Sequence, residues 1–153
     1  MFNKRKESLF LTIAVLILSL ALVAAKVPGA DQGGRRLTAN LSGAAEVPGP
    51  GDPDGSGTVV LTLNPGQETI CWEITVSNLT LPATGAHIHE GEAGVAGPID
   101  VTLSPPDASG KSSGCTSVDR AEVKEIMHEV DEYYVNVHTT DFPGGAVRGQ
   151  LEK

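Results

Sequence analysis

The sequence predicts a mainly β fold: an antiparallel β-sandwich or Greek-key barrel with one short helix. Three observations carry that expectation. Short segments alternate apolar and polar residues at a period of two. Clusters of Pro, Gly, Asn and Asp punctuate them. Only one stretch repeats its apolar residues at helical spacing.

The first 25 residues stand apart. Lys4, Arg5 and Lys6 form a basic start, and residues 9–25 are almost unbroken in apolarity, relieved only by Thr12 and Ser19. Small residues, Val23-Ala24-Ala25, follow at a peptidase-readable position. This is the layout of a signal peptide, or of a short uncleaved N-terminal membrane anchor. Either way the rest of the chain is expected outside the cytoplasm: secreted, periplasmic or cell-surface. Residues 26–36 read as a Gly-containing linker, and residues 37–153 as one domain.

Within that domain the first strand is expected over 37–41, where Leu37, Ala39 and Leu41 alternate with polar partners. Residues 47–57 read as a loop. Asp52-Pro53-Asp54-Gly55-Ser56-Gly57 faintly resembles a calcium loop but lacks the later bidentate glutamate and the full ligand spacing, so it reads as a plain turn. Strands follow over 58–63 and 68–77, joined by the Asn64-Pro65-Gly66-Gln67 turn. Ile70, Trp72, Ile74 and Val76 fall on one face of the second, which makes Trp72 a core anchor. A strand is expected around His87 and His89, a glycine-rich excursion over 91–98, a strand over 99–103 and a loop over 104–116. A helix over 118–129 is capped by Ser117 or Asp119 and carries Val123, Ile126, Met127 and Val130 on one stripe. His128 lies off that stripe among acids and reads as a solvated surface residue. A hairpin of strands over 131–140 and 146–151 closes the domain. Asn40-Leu41-Ser42 and Asn78-Leu79-Thr80 match the N-glycosylation pattern.

The full chain carries a net charge of −8. Without the first 25 residues it holds eight positive and eighteen negative side chains, a net of −10. Such a domain is a poor partner for nucleic acid or anionic lipid and attracts cations. Membrane contact is expected only through an uncleaved N-terminal segment. Cys71 and Cys115, an even count in an exported chain, point to a disulfide. Closing that loop contributes about 3–4 kcal/mol in the chain-entropy model. Two metal-ligating thiols are the weaker alternative, since neither cysteine has a metal-ligand neighbour at the right spacing.

The candidate site comes from two stretches, Gly85-Ala86-His87-Ile88-His89-Glu90-Gly91 and Tyr134-Val135-Asn136-Val137-His138-Thr139. Residues two apart on a strand share a face. His87 and His89 then point one way and Ile88 the other. Asn136 and His138 share a face, with Val135 and Val137 opposite. In the closing strand Arg148 and Gln150 fall on the side of Asn136 and His138. Three imidazoles turned away from the core suit one copper or zinc ion, with water or a fourth side chain completing the shell. Asn136 and Arg148 are the candidate surrounding residues, and Arg148 a candidate anion attractor. The competing reading is a polar sheet face whose histidines bond only to backbone and solvent. No Ser-His-Asp set, Cys-His pair or phosphate loop is evident.

Several ordered motifs resemble the chordin-type (CHRD) domain family over roughly residues 37–151. They are Leu41-Ser42-Gly43-Ala44-Ala45-Glu46-Val47-Pro48, then Ala86-His87-Ile88-His89-Glu90-Gly91 with Gly97-Pro98. The third is Tyr134-Val135-Asn136-Val137-His138-Thr139, followed by Pro143-Gly144-Gly145-Ala146-Val147-Arg148-Gly149-Gln150-Leu151. The resemblance implies an extracytoplasmic β-domain, immunoglobulin-like or superoxide-dismutase-like in form, and no defined activity. Its members include stand-alone exported bacterial proteins and the repeats of chordin, which binds growth factors. A weaker likeness is to copper/zinc superoxide dismutase. His87-Ile88-His89-Glu90 resembles its copper-binding strand, His138 its late copper ligand and Arg148, loosely, its substrate-guiding arginine. The bridging histidine and the zinc loop of that family have no counterpart here. The expected function is therefore an extracytoplasmic binding module for a protein or cell-envelope ligand, with a mononuclear Cu/Zn site on His87, His89 and His138. The alternative is a copper redox enzyme lacking the zinc site.

Overall fold

The computed structural model describes residues 34–153. Strands β1 (Arg35–Ser42), β2 (Ser56–Asn64), β3 (Thr69–Ser77), β4 (Gly85–Glu90), β5 (Ile99–Leu103) and β6 (Lys111–Ser117) precede helix α1 (Arg120–His128), which is followed by β7 (Tyr133–His138) and β8 (Val147–Gln150). All strand pairs are antiparallel, in the order β5-β4-β7-β8-β1-β2-β3-β6. The sheet curls into a nearly closed barrel. Its two edges are joined by the loop after β5, where Ser112 Oγ on β6 donates to Ser104 O at 2.6 Å. The seam between β8 and β1 is narrow: Ser42 pairs with Arg148, and Thr38 bridges to Glu152. Gly149 permits this approach, because a Cβ there would lie 2.2 Å from Asn40 O. The seam divides the sheet into two four-stranded halves, which is why the same pattern reads as sandwich or barrel.

The core forms where the alternation put it. Leu37, Ala39 and Leu41 of β1, Val59, Leu61 and Leu63 of β2, and Ile70, Trp72, Ile74 and Val76 of β3 are buried. Ile88, Val135, Val137, Val147 and Leu151 meet them from the other half. Burying each of the Leu, Ile and Val side chains contributes about 1.5–3 kcal/mol. Asp119 caps α1 by accepting from Ala121 N at 2.8 Å. Val123 and Ile126 face the core, and His128 is exposed as its position off the stripe implied.

Two local expectations change. Arg35 and Arg36, read as linker, belong to β1 and pair with Leu63 and Thr62. The loop expected over 104–116 contains β6, in which Cys115 sits directly opposite Cys71 on β3. Lys-Ser-Ser-Gly-Cys-Thr-Ser has no apolar alternation, since an edge strand packed on one neighbour need not bury a face of its own. Gly114 sits where a Cβ would meet the Trp72 ring at 2.7 Å, so the indole supplies the bulk that β6 lacks. The two sulfurs are 2.13 Å apart, a disulfide between adjacent strands. The calcium-like stretch is the turn the sequence favours: Asp52 O accepts from Gly55 N at 3.3 Å, and the Asp52 carboxylate faces Asp54 N. The candidate signal peptide or anchor lies outside the described residues. Among those described, no helix is long and apolar enough to cross a membrane.

Candidate metal centre

β4 and β7 are hydrogen-bonded neighbours in the sheet. Their register sets His87 opposite Asn136, His89 opposite Tyr134, and Gly85 opposite His138. Ala86 and Ile88 meet Val137 and Val135 on the inner face, so every imidazole is turned outward from the core. Two chain segments about fifty residues apart thus converge on the outer face. One ring nitrogen from each of His87, His89 and His138 lies within 4.8 Å of the others. His89 is buried at 7 % exposure, while His87 and His138 are half-buried.

Backbone carbonyls fix two of the three tautomers. A carbonyl oxygen only accepts, so the nitrogen facing it carries the hydrogen. His89 Nδ1–H donates to Gly97 O at 3.0 Å, and His138 Nδ1–H donates to Pro143 O at 3.0 Å. In the neutral imidazoles both Nε2 atoms therefore carry bare lone pairs, and both face the Asn136 side chain. Such carbonyl-held imidazoles are the usual supports of metal-ligating histidines. His87 Nδ1 faces His138 Nε2 at 3.1 Å. Burial, with the neighbouring imidazoles, lowers the His87 pKa below the ordinary histidine value, and burial lowers that of His138. His87 and His138 consequently favour the neutral imidazole, the form that binds a cation. A three-imidazole donor set suits copper or zinc rather than calcium or magnesium.

Asn136, 4 % exposed, lies within the cluster. Its Oδ1 is 3.1 Å from His89 Nε2 and 3.1 Å from His138 Nε2. Arg148 has a different place from an open anion attractor. It is on the same sheet face, across from Asn136, but only 1 % exposed. Its guanidinium lies 3.3 Å over the Tyr134 ring and donates to Val95 O and Glu92 O, each at 2.8 Å. Tyr134 in turn stacks on His89, with centroids 4.7 Å apart and planes within 3°. β7 lies between β8 and β4, so the phenol is sandwiched between guanidinium and imidazole.

The sequence reading missed Tyr134, the glycine-rich loop as a structural part, and Glu46. Residues 91–98 form no regular element yet are pinned at Gly91, Glu92, Val95 and Gly97. Gln150 Nε2 donates to Gly91 O, Arg148 holds Glu92 and Val95, and Gly97 N donates to Tyr134 Oη at 3.2 Å. Gly97 cannot be larger, since a Cβ would fall 1.5 Å from Glu90 O. The signal available for Tyr134 was its position two residues before Asn136, on the same face. Glu46 is 5 % exposed, and its Oε1 has no hydrogen-bond partner. Burial raises its pKa to about 7 against the opposing pull of Arg148 and the Val47 N–H.

Comparison with curated proteins and with solved structures finds no match for this chain. The family model described as CHRD domain matches residues 37–151, which include all three histidines, Asn136, Gly97 and Arg148. That span is three quarters of the sequence, and the chain belongs to the CHRD domain family.

Proposed function

We propose that this protein is an exported CHRD module that holds one copper or zinc ion on His87, His89 and His138. CHRD domains are typically extracellular, which agrees with the export reading of the N-terminal sequence. The observation that carries the metal reading is the pair of carbonyl-locked tautomers. They turn the His89 and His138 Nε2 lone pairs toward one atom, Asn136 Oδ1, with His87 Nδ1 3.1 Å from the His138 Nε2. A polar face bonded only to backbone and solvent does not require lone pairs to converge. The module's loops are the proposed contact surface for a protein or cell-envelope ligand, a reading that rests on family membership. The copper-redox alternative gains no support from Arg148, whose guanidinium is buried and engaged by loop carbonyls.

Titration calorimetry of the 26–153 chain with Zn²⁺ and with Cu²⁺ tests this. One equivalent taken up by the wild type, and abolished by His89→Ala, is the expected result. No saturable uptake of either ion refutes it.

A further inference from the structure

A three-histidine site leaves its fourth position open, and what fills that position decides whether the ion can meet an outside ligand. We propose that Asn136 fills it: its amide oxygen is the fourth protein donor, giving a closed N₃O shell. The inference rests on the metal reading above and goes further, because it sets what the site can do.

The first argument is geometric. Four donors placed tetrahedrally about 2.0 Å from one ion are separated by about 3.3 Å. Three separations in the structure lie close to that edge. His87 Nδ1 to His138 Nε2, Asn136 Oδ1 to His138 Nε2, and Asn136 Oδ1 to His89 Nε2 are each 3.1 Å. Asn136 is thus one tetrahedral edge from two of the imidazole nitrogens.

The second argument is chemical. The Gly97 and Pro143 carbonyls force the hydrogens of His89 and His138 onto Nδ1. The Asn136 oxygen therefore faces two bare nitrogens. An oxygen lone pair 3.1 Å from each of two bare nitrogens, with no hydrogen between, is repelled by both unless a cation sits among them or the amide turns over. The amide has a second, complementary state. Turned over, its NH₂ has one hydrogen for each Nε2. The side chain can therefore hold the imidazoles in place without an ion and offer oxygen to an ion that arrives. An amide oxygen is a weak neutral donor of the kind found as a distant copper ligand, so it suits holding an ion better than activating a water.

Three features confine the amide to this role. Asn136 is almost fully buried, it is centred on β7 between β4 and β8, and its neighbour Tyr134 is clamped under Arg148. A site closed in this way stores, carries or structurally uses its ion and gives no exchangeable water for catalysis.

The test uses Co²⁺ as a coloured stand-in and azide as a small competing ligand on the 26–153 chain. Wild type loaded with Co²⁺ is expected to show the intense visible bands of four-coordination, unchanged as azide is added. Asn136→Ala is expected to bind Co²⁺ and to change its spectrum saturably with azide. Asn136→Asp, which restores an oxygen donor, is expected to be azide-silent again. A second measurement needs no variant. Cu²⁺-loaded wild type should relax bulk water protons at least several-fold less than free Cu²⁺ does, because no coordinated water exchanges. A wild-type spectrum that azide changes as readily as that of Asn136→Ala, or relaxation close to that of the free ion, overturns the closed shell while leaving the metal site standing. No Co²⁺, Zn²⁺ or Cu²⁺ uptake at all removes the site and this inference together.

Discussion

Gly97→Ala probes how the loop supports the metal centre without touching an imidazole. The added methyl would start 1.5 Å from Glu90 O, where real contacts exceed 3 Å, so the two backbones must part by more than an ångström. Glu90 follows His89 directly, and Gly97 O is the acceptor that holds His89 Nδ1–H at 3.0 Å. The same residue's N–H bonds Tyr134 Oη, which positions the ring stacked on His89. One methyl therefore disturbs both restraints on one ligand. Loss of such outer support typically weakens metal binding 10–100-fold, about 1.4–2.8 kcal/mol. The core face of β4, Ala86 and Ile88, is untouched, so the fold should survive with a cost of about 1–3 kcal/mol. The assay is competition for Zn²⁺ against a chromophoric chelator, with thermal melting and circular dichroism in parallel. A folded Gly97→Ala protein that binds Zn²⁺ within twofold of wild type refutes the reasoning.

Two further predictions concern stability. Replacing Cys71 and Cys115 together by alanine should lower unfolding free energy by about 3–4 kcal/mol, the entropy of closing a loop of 44 residues, read by urea denaturation. A loss under 1 kcal/mol would mean the disulfide does little beyond what the β3–β6 ladder already does. Glu46, with its pKa raised from 4.5 to about 7, binds its proton more tightly folded than unfolded. The fold is therefore favoured while Glu46 is protonated in both states, and that contribution is lost as pH rises from about 4.5 to about 7. The shift corresponds to about 3–4 kcal/mol. Glu46→Gln should flatten the stability profile over that window and be the more stable protein at pH 8. An unchanged slope in the variant would assign the pH dependence elsewhere.

Much of the fold was legible because the core strands alternate cleanly. Leu37-Ala39-Leu41, Ile70-Trp72-Ile74-Val76 and Val135-Val137 each declare a buried face, and their polar partners declare the other. That is also why His87, His89, Asn136 and His138 could be placed on one side before their strands were known to be neighbours. β6 was illegible because its packing is supplied by Trp72 rather than by its own residues. The role of residues 91–98 was illegible for a related reason. Glycines signal freedom in a sequence, whereas here Arg148, Gln150, Tyr134 and His89 spend their polar groups on that loop's backbone. Arg148 itself read as a free cation because neither its carbonyl partners nor Tyr134 is near it in the chain. Side chain-to-backbone bonds over fifty residues leave no periodic trace.

The most direct test of the central claim is the position of the ion. Crystals of the 26–153 chain grown with one equivalent of Zn²⁺ and measured at the zinc absorption edge should show one dominant anomalous peak. It should lie about 2.0–2.1 Å from one ring nitrogen of each of His87, His89 and His138. A dominant peak on surface carboxylates such as Glu129, Asp131 and Glu132, with the three imidazoles left without metal, would contradict the account.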